Sequence, residues 1–330
     1  NKQLLYNFAE LPQSLLLNPA IETNYKFHVG IPLLSGFSTE FGTTGFVIRD
    51  LLAADNRPIN DKVNEVLQKV DIRDYFKIHT QIELLSGGFR YNENTYFSFG
   101  FYEEIDGIVY YPEDMVTLLN EGNSSYLNRS FNISQLLYQF DFLGVLHAGL
   151  TKKINNKLTL GGRFKIYSSA LNMESKNNSG TFRTALGNNN RFIHYLDNVN
   201  VSLRTSGLVD SNDELIDNPS TYIKNTFFGS NLGIGFDFGM TYNISPQFEF
   251  TASILDVGFI HHKKNIKNST ANGSFTFEGI EFEYDPNNPR NYWQELDTAF
   301  KEQLPTGDNN ESYVSWRPVK FNTSIKYSFG

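Results

Sequence analysis

His261 and His262, followed at once by Lys263 and Lys264, form the densest run of metal-ligating and cationic side chains in the sequence. A zinc centre needs donors that converge on one point. Neighbouring residues of an extended strand point to opposite faces and no carboxylate lies nearby in sequence, so the two histidines read as a polar strand end. His28, His79, His147 and His194 fall on separate stretches and read as polar residues of an interior face. Gly161-Gly162, Gly233 and Gly235 precede no helix, so they mark close packing within strands and not a phosphate loop. Glu103-Glu104 has no recognisable partner base, and no serine, histidine and acid set suggests a triad. Asn128-Arg129-Ser130 and Asn268-Ser269-Thr270 have the N-glycosylation pattern, which an asparagine-rich chain produces by chance. The absence of cysteine removes disulfides, thiolate metal centres and a thiol nucleophile. The expectation is a non-enzyme with no catalytic residue, metal ligand or cofactor.

The elements that would hold these groups are strands. From Leu232 the chain reads LGIGFDFGMTY, which sets Leu232, Ile234, Phe236, Phe238, Met240 and Tyr242 against Gly233, Gly235, Asp237, Gly239 and Thr241. Leu158, Leu160, Phe164 and Ile166 likewise oppose Thr159, Arg163 and Lys165, and Val319, Phe321, Ile325, Tyr327 and Phe329 oppose Lys320, Asn322 and Lys326. Phe76, Ile78, Ile82 and Leu84 oppose Lys77, His79, Gln81 and Glu83. Alternating runs of about ten residues suit a tilted strand crossing a bilayer, whereas soluble strands average about five or six. A soluble sandwich alternates too, but does not ordinarily repeat such long strands with Phe and Tyr at their ends. The 29 Phe and 18 Tyr fit aromatic girdles, and no window approaches the roughly 18 apolar residues of a membrane helix. A net charge of −8 without a basic block argues against nucleic acid as a partner. The predicted fold class is all-β, a transmembrane antiparallel β-barrel of a bacterial outer membrane, with membrane lipid or lipopolysaccharide around it.

Connection lengths suggest direction. Asn92-Glu93-Asn94, Asn155-Asn156, Asn188-Asn189-Asn190 and Ser245-Pro246-Gln247 are tight polar turns, and such turns face the periplasm. Strands near 25–43, 72–90, 95–106, 136–153, 157–173, 180–187, 192–206, 226–242, 248–262, 272–284 and 312–329 place all of them on one side. Eleven is an odd number, so the chain is expected to stop short of a full barrel or to be completed by another chain. Helical inserts are expected around Ile59–Val70, after Pro112 at Met115–Leu119, and at Leu296–Leu304. The last would lie in a periplasmic connection, where Trp293, Leu296 and Phe300 are candidate partner contacts. Asn1 to Glu10 lacks the basic start and apolar run of an export signal, so the sequence reads as a processed chain.

Residues 1–22, apolar but broken by Pro12 and Pro19, are expected to fold into the lumen or its periplasmic mouth, with residues 23–330 forming the barrel. Alternation sends Lys77, Glu83, Asp141, Arg163, Lys165, Arg204, Asp237, Glu249 and Lys326 inward, together with Lys26 and Lys320. An open pore is lined by one sign of charge, whereas mixed charges pair and close a narrow barrel.

The segments LLYNFAELPQSLLLNPA, HVGIPLLSGFS, YPEDMVTLLNEGN, KLTLGGRFKIYSSALN and ASILDVGFIHH resemble those of Bacteroidota outer-membrane barrels. That group is similar to the PorP/SprF proteins of type IX secretion and gliding motility, and more distantly to FadL-type barrels. The resemblance implies about fourteen strands in the full barrel, against about eleven in this chain, and an N-terminal segment in the lumen. It further implies a non-enzymatic accessory or structural role in a secretion or gliding assembly, with protein partners in an outer-membrane complex. The alternative is a FadL-like passive transporter of hydrophobic small molecules.

Overall fold

The computed structural model describes residues 6, 8, 10–31, 36–67, 69, 71, 74–134, 136–188, 191–278 and 292–328. The strands are β1 (Phe27–Gly30), β2 (Phe37–Thr43), β3 (Tyr75–Asn92), β4 (Thr95–Tyr110), β5 (Ser130–Asn132), β6 (Leu137–Lys153) and β7 (Leu158–Leu186). They continue with β8 (Phe192–Ser206), β9 (Asn231–Asn243), β10 (Phe248–His262), β11 (Ile266–Phe277), β12 (Thr306–Asn309), β13 (Tyr313–Trp316) and β14 (Lys320–Tyr327). Among the described residues five α-helices, α1 (Ile48–Leu52), α2 (Ile59–Leu67), α3 (Glu113–Glu121), α4 (Pro219–Thr226) and α5 (Tyr292–Gln303), sit in the connections. The fourteen strands make one sheet in which every ladder is antiparallel, the wall of a β-barrel.

Collinear pieces reduce this sheet to eight long passes among the described residues: β1–β2, β3, β4, β5–β6, β7, β8–β9, β10–β11 and β12–β14. β9 pairs with the first part of β7 and β8 with its last part, so residues 207–230 interrupt a single descending pass. The predicted strands 157–173 and 180–187 are thus one strand of 29 residues. The Asn-Asn-Ser-Gly run at 177–180 has the composition of a turn, yet the ladder absorbs it as register shifts around Ser179, with Gly180 at φ 138. Likewise β11 prolongs β10 in the same direction.

This changes the reading of the connections. The links 93–94, 154–157 and 244–247 gather at one end, hereafter the short-turn end. The tight turn containing Asn188 caps the far tip of β7 and β8, at the opposite end. The link carrying α5 also emerges at that long-loop end, because β11 rises away from the short turns and β12 pairs with it there. The expected placement of α5 on the short-turn side is therefore wrong.

The wall is apolar outside. Leu160, Phe164, Phe236, Phe238, Phe321 and Ile325 all expose their side chains. Among the described residues no ladder joins β1–β2 to β14, and the edges are barer than the middle: Phe37 and Phe321 are 68% and 73% exposed, against 41% for Phe164. Among the described residues no helix is long and apolar enough to cross a membrane. Of the helices, α2 and α3 occupy expected positions, with Pro112 as the residue capping α3. The fourth, α4, is unanticipated, although its signature is local: the Asn218 side chain accepts from the Ser220 amide at 3.0 Å, and Pro219 opens the first turn.

Candidate functional site: a filled and charged barrel interior

The inward faces of β3, β6, β7, β9 and β10 converge on an N-terminal strap. A 3-10 turn at Pro12–Leu16 leads into an extended stretch in which Ser14, Leu15, Leu17, Asn18, Ala20, Ile21 and Thr23 are buried. Extended backbone inside a barrel needs partners for its carbonyls, and the wall supplies them. Ser253 donates to the Leu17 carbonyl at 2.7 Å, Thr151 to Pro19 at 2.6 Å and Thr241 to Ala20 at 3.0 Å. Arg163 donates to the Leu15 carbonyl, Arg90 to that of Thr23, and Thr159 to the Glu22 carboxylate. Two wall glycines make room. A Cβ on Gly161 would strike the Pro19 carbonyl, and one on Gly239 would lie 2.9 Å from Pro19 Cδ and from the Ala20 amide. Side chains there would push the strap off the wall.

Above the strap lies a charged network. Lys165 sits 3.0 Å from Asp237 and 2.5 Å from Asp256, while Arg163 reaches Asp237 at 3.3 Å. Arg317 spans the interior to Glu104, to Asp106 at 2.7 Å and to Asp141 at 3.2 Å. Lys320 approaches Asp256 at 3.1 Å. Asn172 bridges Asp141 at 2.7 Å and Tyr313 at 2.6 Å. Every one of these charged groups except Lys320 is buried, so acids and bases answer one another out of water. A cleft of about 280 Å3 between β2–β3 and β14 is lined by Glu40, Lys77, His79, Lys320 and Asn322.

The sequence-predicted residues distribute unevenly. Asp141, Arg163, Lys165 and Asp237 belong to the network, Glu83 is buried beside Gly36, and Lys77 lines the cleft. Arg204 lies higher, 3.7 Å from Glu174 and stacked over Tyr313. Glu249 and Lys326 face each other in register near the short turns, with Lys326 exposed and outside the network. For the three partner-contact candidates, Phe300 packs against Phe275 with ring centroids 5.1 Å apart. Trp293 and Leu296 fall within α5, but their side chains lie outside the described residues.

Sequence reasoning missed Glu104, Asp106, Asp256 and Arg317. Asp256 escaped because a bulge between Ile254 and Val257, with Asp256 at φ 62, turns Leu255 and Asp256 both inward and breaks the alternation. Arg317 escaped because inward parity runs through Tyr313, Ser315 and Arg317, then shifts across Pro318 to Lys320 and Asn322. Glu104 and Asp106 were legible, since they alternate with Glu103 and Ile105 on β4. Glu103 points outward, where Thr226 donates to it at 2.8 Å.

His79, Glu104 and Asp106 place ligand atoms within 4.8 Å of one another. His79 already bonds Asp106 at 2.6 Å, and the Arg317 guanidinium bonds both acids, so a cation would displace an existing one. The adjacent pair divides as expected of a strand: His261 is exposed, and His262 is buried 2.8 Å from Ser315.

Residues 19–330 match the family described as "Family of unknown function (DUF5723)", and the chain belongs to that family. A search of curated proteins returned no match. Among solved structures the chain is similar to the "TodX deltaS2S3 mutant monoaromatic hydrocarbon channel", at 10% identity and a TM-score of 0.18. That match covers 67% of this chain and 60% of the other.

Proposed function

We propose that this DUF5723 chain is an outer-membrane barrel closed to passage, acting as a non-enzymatic structural or accessory component of an export or motility assembly of the kind its sequence resembles. The observation that carries this reading is the filled interior. A conducting path needs continuous water, and here the strap from Leu15 to Thr23 and the pairing of Arg317, Lys165 and Arg163 with five acids occupy the cross-section. The helices α1, α2, α3 and α5, gathered with the tip of β7 and β8 at the long-loop end, offer the surface for protein partners. With the outer wall in lipid, the purified chain in planar bilayers gives no steady conductance. Cross-linking in native membranes followed by affinity purification recovers a reproducible set of outer-membrane proteins. Steady ion-selective conductance from the intact chain overturns the closed barrel, and purification of the chain alone overturns the accessory role. The alternative, a FadL-like passive transporter of hydrophobic small molecules, needs an apolar path through the lumen, and the network of charges speaks against one.

A further inference from the structure

The insert at 207–230 returns along the outside of the wall, not the inside. On β4, Tyr102, Glu104 and Asp106 face inward, so Phe101, Glu103 and Ile105 face outward, and α4 lies against that outer face. Its C-terminal end is firmly fixed. Ser168 donates to the Asn225 carbonyl at 2.7 Å and accepts from the Gly229 amide at 2.8 Å, and Phe227 stacks on Phe101 with centroids 4.8 Å apart. Gly144 admits the Thr226 carbonyl where a Cβ would collide with it.

The N-terminal half of α4 stands off. Pro219, Tyr222 and Ile223 roof a cavity of about 360 Å3 whose floor is Ile82, Ile105, Phe140, Phe142 and Leu171. Glu103, also bordering it, is already bonded to Thr226. Thr80 and Tyr222, the other polar side chains of the lining, are engaged with Thr39 at 3.2 Å and with the Ile216 carbonyl at 2.8 Å, so the cavity has few polar groups to spare for water and suits an apolar occupant.

Glu103 and Ile105 are the ninth and eleventh residues of β4 (Thr95–Tyr110), counted from the short turn. A tilted strand crosses the hydrocarbon in about nine to eleven residues, which sets the cavity at the far rim of the apolar band. Ile223, Phe227 and Phe228 expose apolar surface beside it, and Lys224 is exposed on the same helix. Aromatic and cationic residues at that depth suit the boundary between acyl chains and phosphate headgroups.

We propose that this cavity is a lipid-binding slot which takes one acyl chain of a membrane phospholipid, with the headgroup phosphate drawn to Lys224. The proposal rests on the reading of this wall as membrane-facing. It makes α4 a clasp over a resident lipid.

The full chain in nanodiscs, doped with a phosphatidylcholine carrying a photoreactive diazirine in its acyl chain, provides the test. After irradiation, peptide mapping compares label at Phe140, Phe142, Tyr222 and Ile223 with label at Phe164, Phe236 and Phe238, which face bulk lipid. The slot should be enriched several-fold. Ile223→Trp, which fills the roof, and Leu171→Trp, which fills the floor, should each abolish the enrichment without changing the bulk label. Each variant is checked for heat-modifiable migration, and one that folds is sufficient. Lys224→Glu should lower the enrichment at unchanged bulk labelling. Bulk labelling without enrichment, or enrichment that survives a folded filling variant, overturns the slot alone. Absence of label from Phe236 and Phe238 as well overturns the membrane-facing wall, and with it the barrel reading on which the slot depends.

Discussion

The lower wall and the upper extension of the same sheet differ in the charge they bury and in the face they show outside. Around β6, the first part of β7, β9 and β10, the charged groups Asp141, Arg163, Lys165, Asp237 and Asp256 are shut away beside a small apolar cluster of Leu143, Val145, Tyr167 and Ile260, while Phe164, Phe236 and Phe238 lie outside. Farther along, where the end of β7 pairs with β8 and β8 with β11, the shut-away groups are Val199, Phe275 and Leu304, supported by Ile133, Leu196 and Phe300. There Asp308, Asn309, Lys301 and Glu302 are exposed. One continuous ladder therefore serves two media. Backbone pairing is indifferent to the side chains, so β7 crosses from one regime to the other without a break, and the change of polarity marks where the apolar band ends.

The largest test of this contrast removes one side of the buried network. Arg317→Met leaves Glu104, Asp106 and Asp141 together without their cation, and should cost about 3–5 kcal/mol in urea unfolding from liposomes. In the extension, Arg204→Met removes an ion pair whose cation is 39% exposed and 3.7 Å from Glu174, and should cost about 1 kcal/mol or less. Equal losses would dissolve the contrast. Next in size is an arginine scan. Phe238→Arg should cost about 2–4 kcal/mol near the midplane, whereas Thr306→Arg at an exposed position of β12 should stay within about 0.5 kcal/mol by the same assay.

How legible this was follows from the same residues. Period-two alternation is a property of uninterrupted ladder, so Asp237, Lys165, Phe236 and Phe238 could be assigned to faces without any structure. The reading failed where the ladder is irregular. The bulge at Leu255-Asp256 and the parity shift at Pro318 hid Asp256 and Arg317, two of the network's main members. Turn composition misled at 177–180, where asparagine and glycine make a bulge in mid-strand, and that error carried α5 to the wrong end of the barrel. Cross-lumen pairing is invisible to local pattern, since Arg317 and Glu104 are 213 residues apart in sequence.

A smaller effect is expected at the strap. Gly161→Leu sets a side chain against the Pro19 carbonyl, and overpacking of this sort costs about 1–3 kcal/mol. The strap leaves the wall more readily than eight paired passes come apart, so the change should show as intermittent conductance in planar bilayers with little loss of unfolding stability. A silent bilayer with intact stability would mean that the charged network closes the lumen without the strap. Deleting residues 1–19 in the Arg317→Met background then separates the two closures.

The smallest effect lies outside the wall and sharpens the contrast from its exposed side. Between α1 and α2, Arg57 binds Asp55 through Nε at 2.9 Å and Nη2 at 2.7 Å and reaches Glu65 at 2.7 Å, while Lys62 sits 2.5 Å from Asp55. Hydrogen bonds from Arg57 first, and then from Lys62, hold the Asp55 carboxyl down at about 2. A folded-state value below the unfolded 3.8 means that this contribution is fully present above pH 3.8 and is lost as pH falls through about 2. Amide exchange over 48–67, corrected for its intrinsic pH dependence, should therefore quicken in that window in the intact chain, and Asp55→Asn should flatten the change. Because the pair is in water, added salt should weaken it, while the Arg317 network inside the barrel should be almost insensitive to the same salt. If Asp55 titrates near 3.8 and exchange is level across the window, the cluster is an idle surface pairing and the helices are held by apolar contacts such as that of Val66.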